Sequence, residues 1–201
     1  MKLSGNIRSH AGLALGCWLL GLTLIGGGAG TALGQTAAAT PGTENPNDWP
    51  QYHRTSNAWR YSPLDQITKA NVKNLRVAWI HQPGDITMGL QATPIVVDGV
   101  MYYIGPNNNV FALDAATGEQ LWHYQPQIDP LAYESFYASA SRGVTVGQGR
   151  VFIGTMDGRF VAVDQGSGKE VWSTRLVDQA KCSGCLFSSP PVLAGNVLVG
   201  G

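Results

Sequence analysis

Apolar runs of four to six residues, rich in Val, Ile, Tyr and Phe, recur along this chain and are separated by pairs of turn-forming residues. TPIVVDGVMYYIG (Thr93 to Gly105) is followed by RGVTVGQGRVFIG (Arg142 to Gly154) and then by PPVLAGNVLVGG (Pro190 to Gly201). Pairs such as Asp98-Gly99 and Asp157-Gly158 readily supply the positive φ of a tight β turn, so these segments read as hairpins. Further strands are predicted over Val110 to Asp114 and Phe160 to Asp164. Thr117-Gly118 and Ser167-Gly168 then turn the chain into a strand that carries Trp122 or Trp172. These segments lack a 3.6-residue period, which excludes a helical solenoid.

The pattern also repeats at long range. Ala112, Asp114, Gly118 and Trp122 return 50 residues later as Ala162, Asp164, Gly168 and Trp172. Three or four short antiparallel strands per repeat cannot bury both faces of their sheet without neighbours, which makes each unit a propeller blade. The predicted fold is therefore an all-β propeller, represented by a leading segment and about two and a half blades. So few blades leave open sheet edges, and the chain is expected to be the N-terminal part of something longer. Trp122 and Trp172 are expected to be structural: an indole can cover the face of the next blade while its N–H finds a backbone carbonyl. Asp114 and Asp164 are expected to accept backbone N–H bonds within their turns.

The first residues read as an export signal. Lys2 and Arg8 precede an apolar stretch from Ala11 to Gly26, and no other charged side chain occurs before Glu44. Small residues at Ala32 and Gly34 offer cleavage before Gln35, giving a signal peptide over residues 1–34. The alternative, an uncleaved anchor, has a short apolar core for a full span. Leu13 to Cys17 resembles a lipoprotein box placed too early in the chain. Residues 35–47 have linker composition, and residues 48–201 are assigned to the propeller. Without Lys2 and Arg8 the chain carries 11 basic and 13 acidic side chains, with no basic cluster. That balance argues against nucleic acid as the main partner and leaves small neutral ligands as the default. After export Cys182 and Cys185 would meet an oxidising compartment, where a short-loop disulfide can form. Leu186 follows Cys185, so the pair is not a c-type haem attachment site.

Several segments together resemble the pyrroloquinoline quinone (PQQ) dependent dehydrogenases. They are Asp48-Trp49-Pro50-Gln51-Tyr52, Arg60 to Ile67 (RYSPLDQI), Val72-Lys73-Asn74-Leu75 with Ala78-Trp79, Thr93 to Tyr102, and Ala112 to Gly118. Read by itself, the leading segment offers Thr68 as the N-cap of a helical turn over Lys69 to Asn74, followed by a strand from Leu75 to His81. The resemblance implies an eight-bladed propeller in the periplasm, built from tryptophan-docking repeats, holding PQQ on its axis near a calcium ion. It implies an alcohol or sugar substrate, and an electron acceptor such as a cytochrome or quinone.

The family's cofactor-binding positions fall on Gln91, where Glu is common, on Arg142, which would contact the quinone, and on Thr155, a partner for the cofactor's carboxylates. Considered without the family, Gln91 and Thr155 read as polar strand ends facing solvent, and Arg142 as half of a surface ion pair. Where many family members carry adjacent cysteines, this chain has Phe136 and Tyr137. The family's calcium ligands and catalytic aspartate are expected beyond Gly201, so no catalytic or metal-binding residue is assigned within the chain. The competing reading is a binding propeller of the outer-membrane assembly type, which uses the same repeat without PQQ.

Overall fold

The computed structural model describes residues 45–84, 89–134, 140–182 and 184–201. Residues 1–34, read from sequence as a signal peptide, most of residues 35–47, read as a linker, and Phe136 with Tyr137 lie outside the described residues. Strands β1 (Ile95–Val97), β2 (Val100–Ile104), β3 (Val110–Asp114) and β4 (Gln120–Tyr124) form one antiparallel sheet in chain order. Strands β5 (Thr145–Gly147), β6 (Arg150–Gly154), β7 (Arg159–Asp164) and β8 (Glu170–Arg175) form a second in the same order. β9 (Val192–Ala194) and β10 (Val197–Val199) pair as a hairpin. The described residues thus form two complete blades and the first hairpin of a third, as the repeat predicts.

Local sequence explains the joints within each blade. Asp98 and Gly99 both take positive φ, 50° and 77°, and close the β1–β2 hairpin with the twist that two paired strands require. Gln148 and Gly149 do the same for β5–β6. Asp157-Gly158 lies one strand later, in the turn from β6 to β7. Both blades carry the same register shift, between Ala112 and Leu113 and between Ala162 and Val163, opposite the strand that bears the tryptophan.

Burial shows why the blades need each other. Val110, Phe111, Ala112 and Leu113 on β3 are all buried, and so are Phe160, Val161, Ala162 and Val163 on β7. Runs without alternation belong to sheets covered on both faces. On one side of blade one, Tyr102, Ile104, Val110 and Trp122 share a core with Val144, Val151, Ile153 and Val161 of blade two. On its other side Tyr103, Phe111 and Leu113 pack with Trp79 from the leading segment.

The leading segment departs from expectation in two places. A single 3₁₀ turn, Val72–Asn74, replaces the longer helical turn, and Asn71 organises it rather than the Thr68 hydroxyl. The Asn71 side chain accepts from the Thr68 N–H at 2.6 Å and donates to the Gln66 carbonyl at 2.7 Å. An amide can bridge a donor and an acceptor at once, which one hydroxyl does less well across this span. The predicted strand from Leu75 to His81 forms no ladder with the described residues, and Val77 and Ile80 are exposed. A strand is defined by its pairing, and Trp79 and His81 attach this stretch to blade one through their side chains.

Candidate functional site

Two joints, one between the leading segment and blade one and one between blades one and two, are each an indole laid on a glycine. Trp122 covers Gly168 so closely that a Cβ there would meet the indole at 2.6 Å, and its Nε1–H donates to the Gln165 carbonyl at 3.0 Å. Trp79 covers Gly118 in the same way and donates to the Ala115 carbonyl at 3.2 Å. Both glycines have φ near +70°, so turn geometry and close approach require the same residue. The turns are braced by their aspartates. Asp114 accepts from the N–H groups of Ala116 and Thr117 and from the Thr117 hydroxyl, and Asp164 accepts from the N–H and hydroxyl of Ser167. Those bonds favour the ionised form and hold both carboxyls below their ordinary range. Trp172 is 37% exposed and lines an open depression with Phe152, Phe160, Leu193 and Leu198.

The inner edges of the blades form a different surface. β1, β5 and β9 lie side by side, and backbone bonds join them at one end: Thr93 N–H to the Arg142 carbonyl at 3.2 Å, and Arg142 N–H to the Ser188 carbonyl at 2.9 Å. Farther along β1 the leading segment closes its free edge. Trp49 and Val96 exchange two backbone bonds of 2.9 Å, and the buried Asp48 carboxylate accepts from the Asp98 N–H at 3.1 Å. Between this segment and the strand ends lies a cleft of about 500 Å³, walled by Tyr52, His53, Thr93, Arg142, Thr145 and Pro190 among others.

Arg142 is the cation of this cleft. Its side chain is exposed, and its Nη1 donates to the Ser188 Oγ at 2.5 Å. Among the described residues no carboxylate pairs with it, so the surface ion pair considered from sequence is not formed there. Gln91 is exposed two residues before Thr93 and at the same end of β1.

Thr155 stands elsewhere. It is fully buried, donates its hydroxyl proton to Asp157 Oδ1 at 2.5 Å, and accepts from the Arg159 N–H at 3.0 Å. It is therefore not a solvent-facing strand end, and its single proton is already committed. Asp157, itself buried, also accepts from Arg159 Nε at 2.9 Å and from the Asp129 N–H at 3.1 Å. Burial alone would raise the Asp157 carboxyl, but the Arg159 guanidinium and the other donors outweigh it and hold the group below its ordinary range. Arg159 also reaches the Gln127 carbonyl at 2.6 Å, so the network ties the segment between the blades to the second sheet.

Sequence reasoning passed over three of these residues. Asp157 read as a turn residue because glycine follows it. Trp79 falls outside the 50-residue register, although its indole makes the first joint. Ser188 was legible by counting: Gln91, Ser141 and Ser188 each lie four residues before the first residue of an inner strand. Cys182 and Cys185 are joined as a disulfide in the loop leading to Ser188, with Cα atoms 5.5 Å apart. Among the described residues no cluster of three or more His, Cys, Asp or Glu is placed to hold a metal ion.

The donor set suits an anionic quinone. A guanidinium without a carboxylate partner among the described residues offers planar donors to paired carbonyl or carboxylate oxygens. Comparison with known proteins points the same way. Residues 49–201 match the glucose/ethanol/alcohol dehydrogenase β-propeller domain, a PQQ family. The quinohemoprotein alcohol dehydrogenase ADH-IIG of Pseudomonas putida is 41% identical over 158 residues, 78% of this chain and 22% of the relative. The 1-butanol dehydrogenase (cytochrome c) of Thauera butanivorans is 39% identical over 155 residues, 76% of this chain and 22% of the relative. The crystal structure of the quinohemoprotein alcohol dehydrogenase of Comamonas testosteroni superimposes with a TM-score of 0.69 at 37% identity, covering 76% of this chain and 22% of that one. The chain thus spans about a fifth of the length of the relatives it matches. With its fold, its repeated joints and nearly all of residues 48–201 accounted for by these matches, the chain belongs to the PQQ-dependent dehydrogenase family of β-propellers.

Proposed function

We propose that this chain is the N-terminal part of a periplasmic quinoprotein dehydrogenase that oxidises an alcohol or sugar with PQQ and calcium and passes the electrons to a cytochrome or quinone. The observation that carries the reading is Arg142: a guanidinium at the mouth of the axial cleft, held by Ser188 and without a carboxylate partner among the described residues. The N-terminal leader supports export, and the names of the relatives support an alcohol as donor.

Within this chain the work is binding and orientation. Arg142 supplies charge and paired donors, Gln91 supplies a neutral amide where a glutamate is common, and the leading segment walls one side of the cleft. Thr155 contributes through the Asp157–Arg159 network that fixes the second blade behind them. PQQ, when bound, supplies the hydride acceptor, with calcium polarising its carbonyl. The reading places the calcium ligands and the proton-accepting aspartate outside residues 1–201.

The test uses the complete enzyme and residues 35–201 side by side, each with PQQ and calcium, in alcohol-dependent dye reduction. The complete enzyme should turn over and the shorter piece should not. Turnover by residues 35–201 would overturn the assignment of the missing groups. Failure of the complete protein to bind PQQ would leave the non-catalytic scaffold reading in its place.

A further inference from the structure

We propose that the joint between the leading segment and blade one is a pH-sensitive closure, in which protonation of His81 and His123 loosens the leading segment's hold on the blade. His81 lies two residues after Trp79 and leans over β2 and β3. Its Nδ1 is 2.6 Å from the Tyr103 hydroxyl and its Nε2 is 3.4 Å from Gln120 Oε1. Its ring meets Tyr103 and Phe111 edge-on, with centroids 5.8 and 5.1 Å apart. Phe111 stacks on Tyr103 to one side and on His123 to the other, the latter at 4.5 Å and nearly parallel. His123 Nε2 in turn lies 2.8 Å from Asn109 Oδ1. Two imidazoles, a phenol and a phenyl ring thus form one layer on the face of blade one that receives Trp79.

The proton positions in this layer favour uncharged rings. Tyr103 is buried, and burial pushes its hydroxyl up to about 12, so it keeps its proton. Neutral His81 can accept that proton at Nδ1 while its Nε2–H points to the Gln120 oxygen, which satisfies every group. Charged His81 has no lone pair, and the buried Tyr103 proton loses the acceptor it has among the described residues. His123 is held below its ordinary range, first by burial and second by His81. The groups that face the two rings, Tyr103 from β2, Phe111 from β3, Gln120 from β4 and Asn109 just before β3, are uncharged, and among the described residues neither ring forms an ion pair. A group lowered in this way binds protons more readily once the joint opens. The hold is therefore complete above the ordinary histidine range, near about pH 6.5, and is lost as pH falls through that range toward the lowered value.

The repeat shows that this layer belongs to one joint only. Tyr124 stands two residues after Trp122, as His81 does after Trp79, and Glu170 returns the place of Gln120. There the Tyr124 hydroxyl donates to Glu170 Oε2 at 2.5 Å, and no imidazole takes part. The places of Tyr103, Phe111 and His123 hold Ile153, Val161 and Ser173 in blade two. The indole and its glycine recur, whereas the side chains that change charge between pH 5 and 8 stand beside the first joint alone.

The experiment follows amide hydrogen exchange of the complete protein by mass spectrometry at pH 7.5 and 5.5, each rate divided by that of the unfolded chain at the same pH. Residues 75–81 report the first joint and residues 120–124 serve as the reference within the same molecule. In the parent, opening at residues 75–81 should rise about tenfold relative to the reference at the lower pH, the size expected when a buried hydroxyl loses its acceptor. Tyr103→Phe keeps the ring stack but has no proton to strand, and should reduce the rise to within about twofold. His123→Gln, at an exposed position, should leave opening at pH 7.5 at the parental level and shrink the rise, because His81 then charges without a second cation beside it. His81→Gln combined with His123→Gln should abolish the rise. Equal behaviour of the two segments in the parent would overturn the proposal, as would a rise that survives at full size in Tyr103→Phe or in the double variant.

Discussion

Trp79 on Gly118 and Trp122 on Gly168 are one joint built twice, down to the indole N–H reaching a carbonyl in the same turn. At the inner strand ends the corresponding places are less uniform from blade to blade: Gln91, Ser141 and Ser188, then Ala92, Arg142 and Ser189. The difference separates two demands on the chain. Blade packing asks every unit for the same shape, so its residues repeat. A ligand on the axis meets each blade only once, so the residues facing it have no reason to repeat. Departures from the repeat at the cleft are therefore where chemistry is to be sought, and identity at the joints reports stability.

Changes at the joints should cost stability and leave the cleft's chemistry intact. Trp122→Ala removes an almost fully buried indole between two sheets and should destabilise the complete protein by about 4 kcal/mol, measured by denaturant unfolding. A loss below about 1 kcal/mol would mean that the blade interface does not depend on this joint. Asp157→Ala leaves Arg159 without its buried partner and should cost about 3 kcal/mol by the same measurement. Because the native Asp157 carboxyl sits below its ordinary range, its contribution is complete above about pH 4 and is lost as pH falls through the lowered native value. Asp157→Asn should flatten that acid limb of the stability profile, and an unchanged limb would assign it to other carboxylates. Gly168→Ala puts a Cβ into the Trp122 indole at a residue with φ of 68° and should cost about 2 kcal/mol. At the other extreme, Arg142→Ala should leave unfolding nearly unchanged, since its exposed side chain touches no core cluster.

Much of this division was legible in the sequence. Asp98-Gly99, the strand over Val110 to Asp114 and the indole at Trp122 follow from local turn chemistry and the 50-residue period, and the structure forms them. Arg142 could be placed through family resemblance and the position of Ser188 by counting from its strand, but the contact between them could not. Ser188 lies 46 residues away, and its approach depends on how the second and third blades set side by side. Asp157 was half legible: the Asp-Gly pair marks a turn correctly, while the bond to Arg159 and the capture of the Asp129 N–H are tertiary. Leu75 to His81 shows the converse limit, because apolar periodicity states a readiness to pair and pairing needs a second strand.

The claim that joints carry stability and the cleft carries chemistry can be tested most directly with Arg142→Ala in the complete protein, by recording the melting temperature and the PQQ dissociation constant on the same samples. The account predicts an unchanged melting temperature without cofactor and PQQ binding weakened by at least about tenfold. Parental PQQ affinity, or a loss of affinity matched by a fall in cofactor-free melting temperature like that of Trp122→Ala, would contradict it.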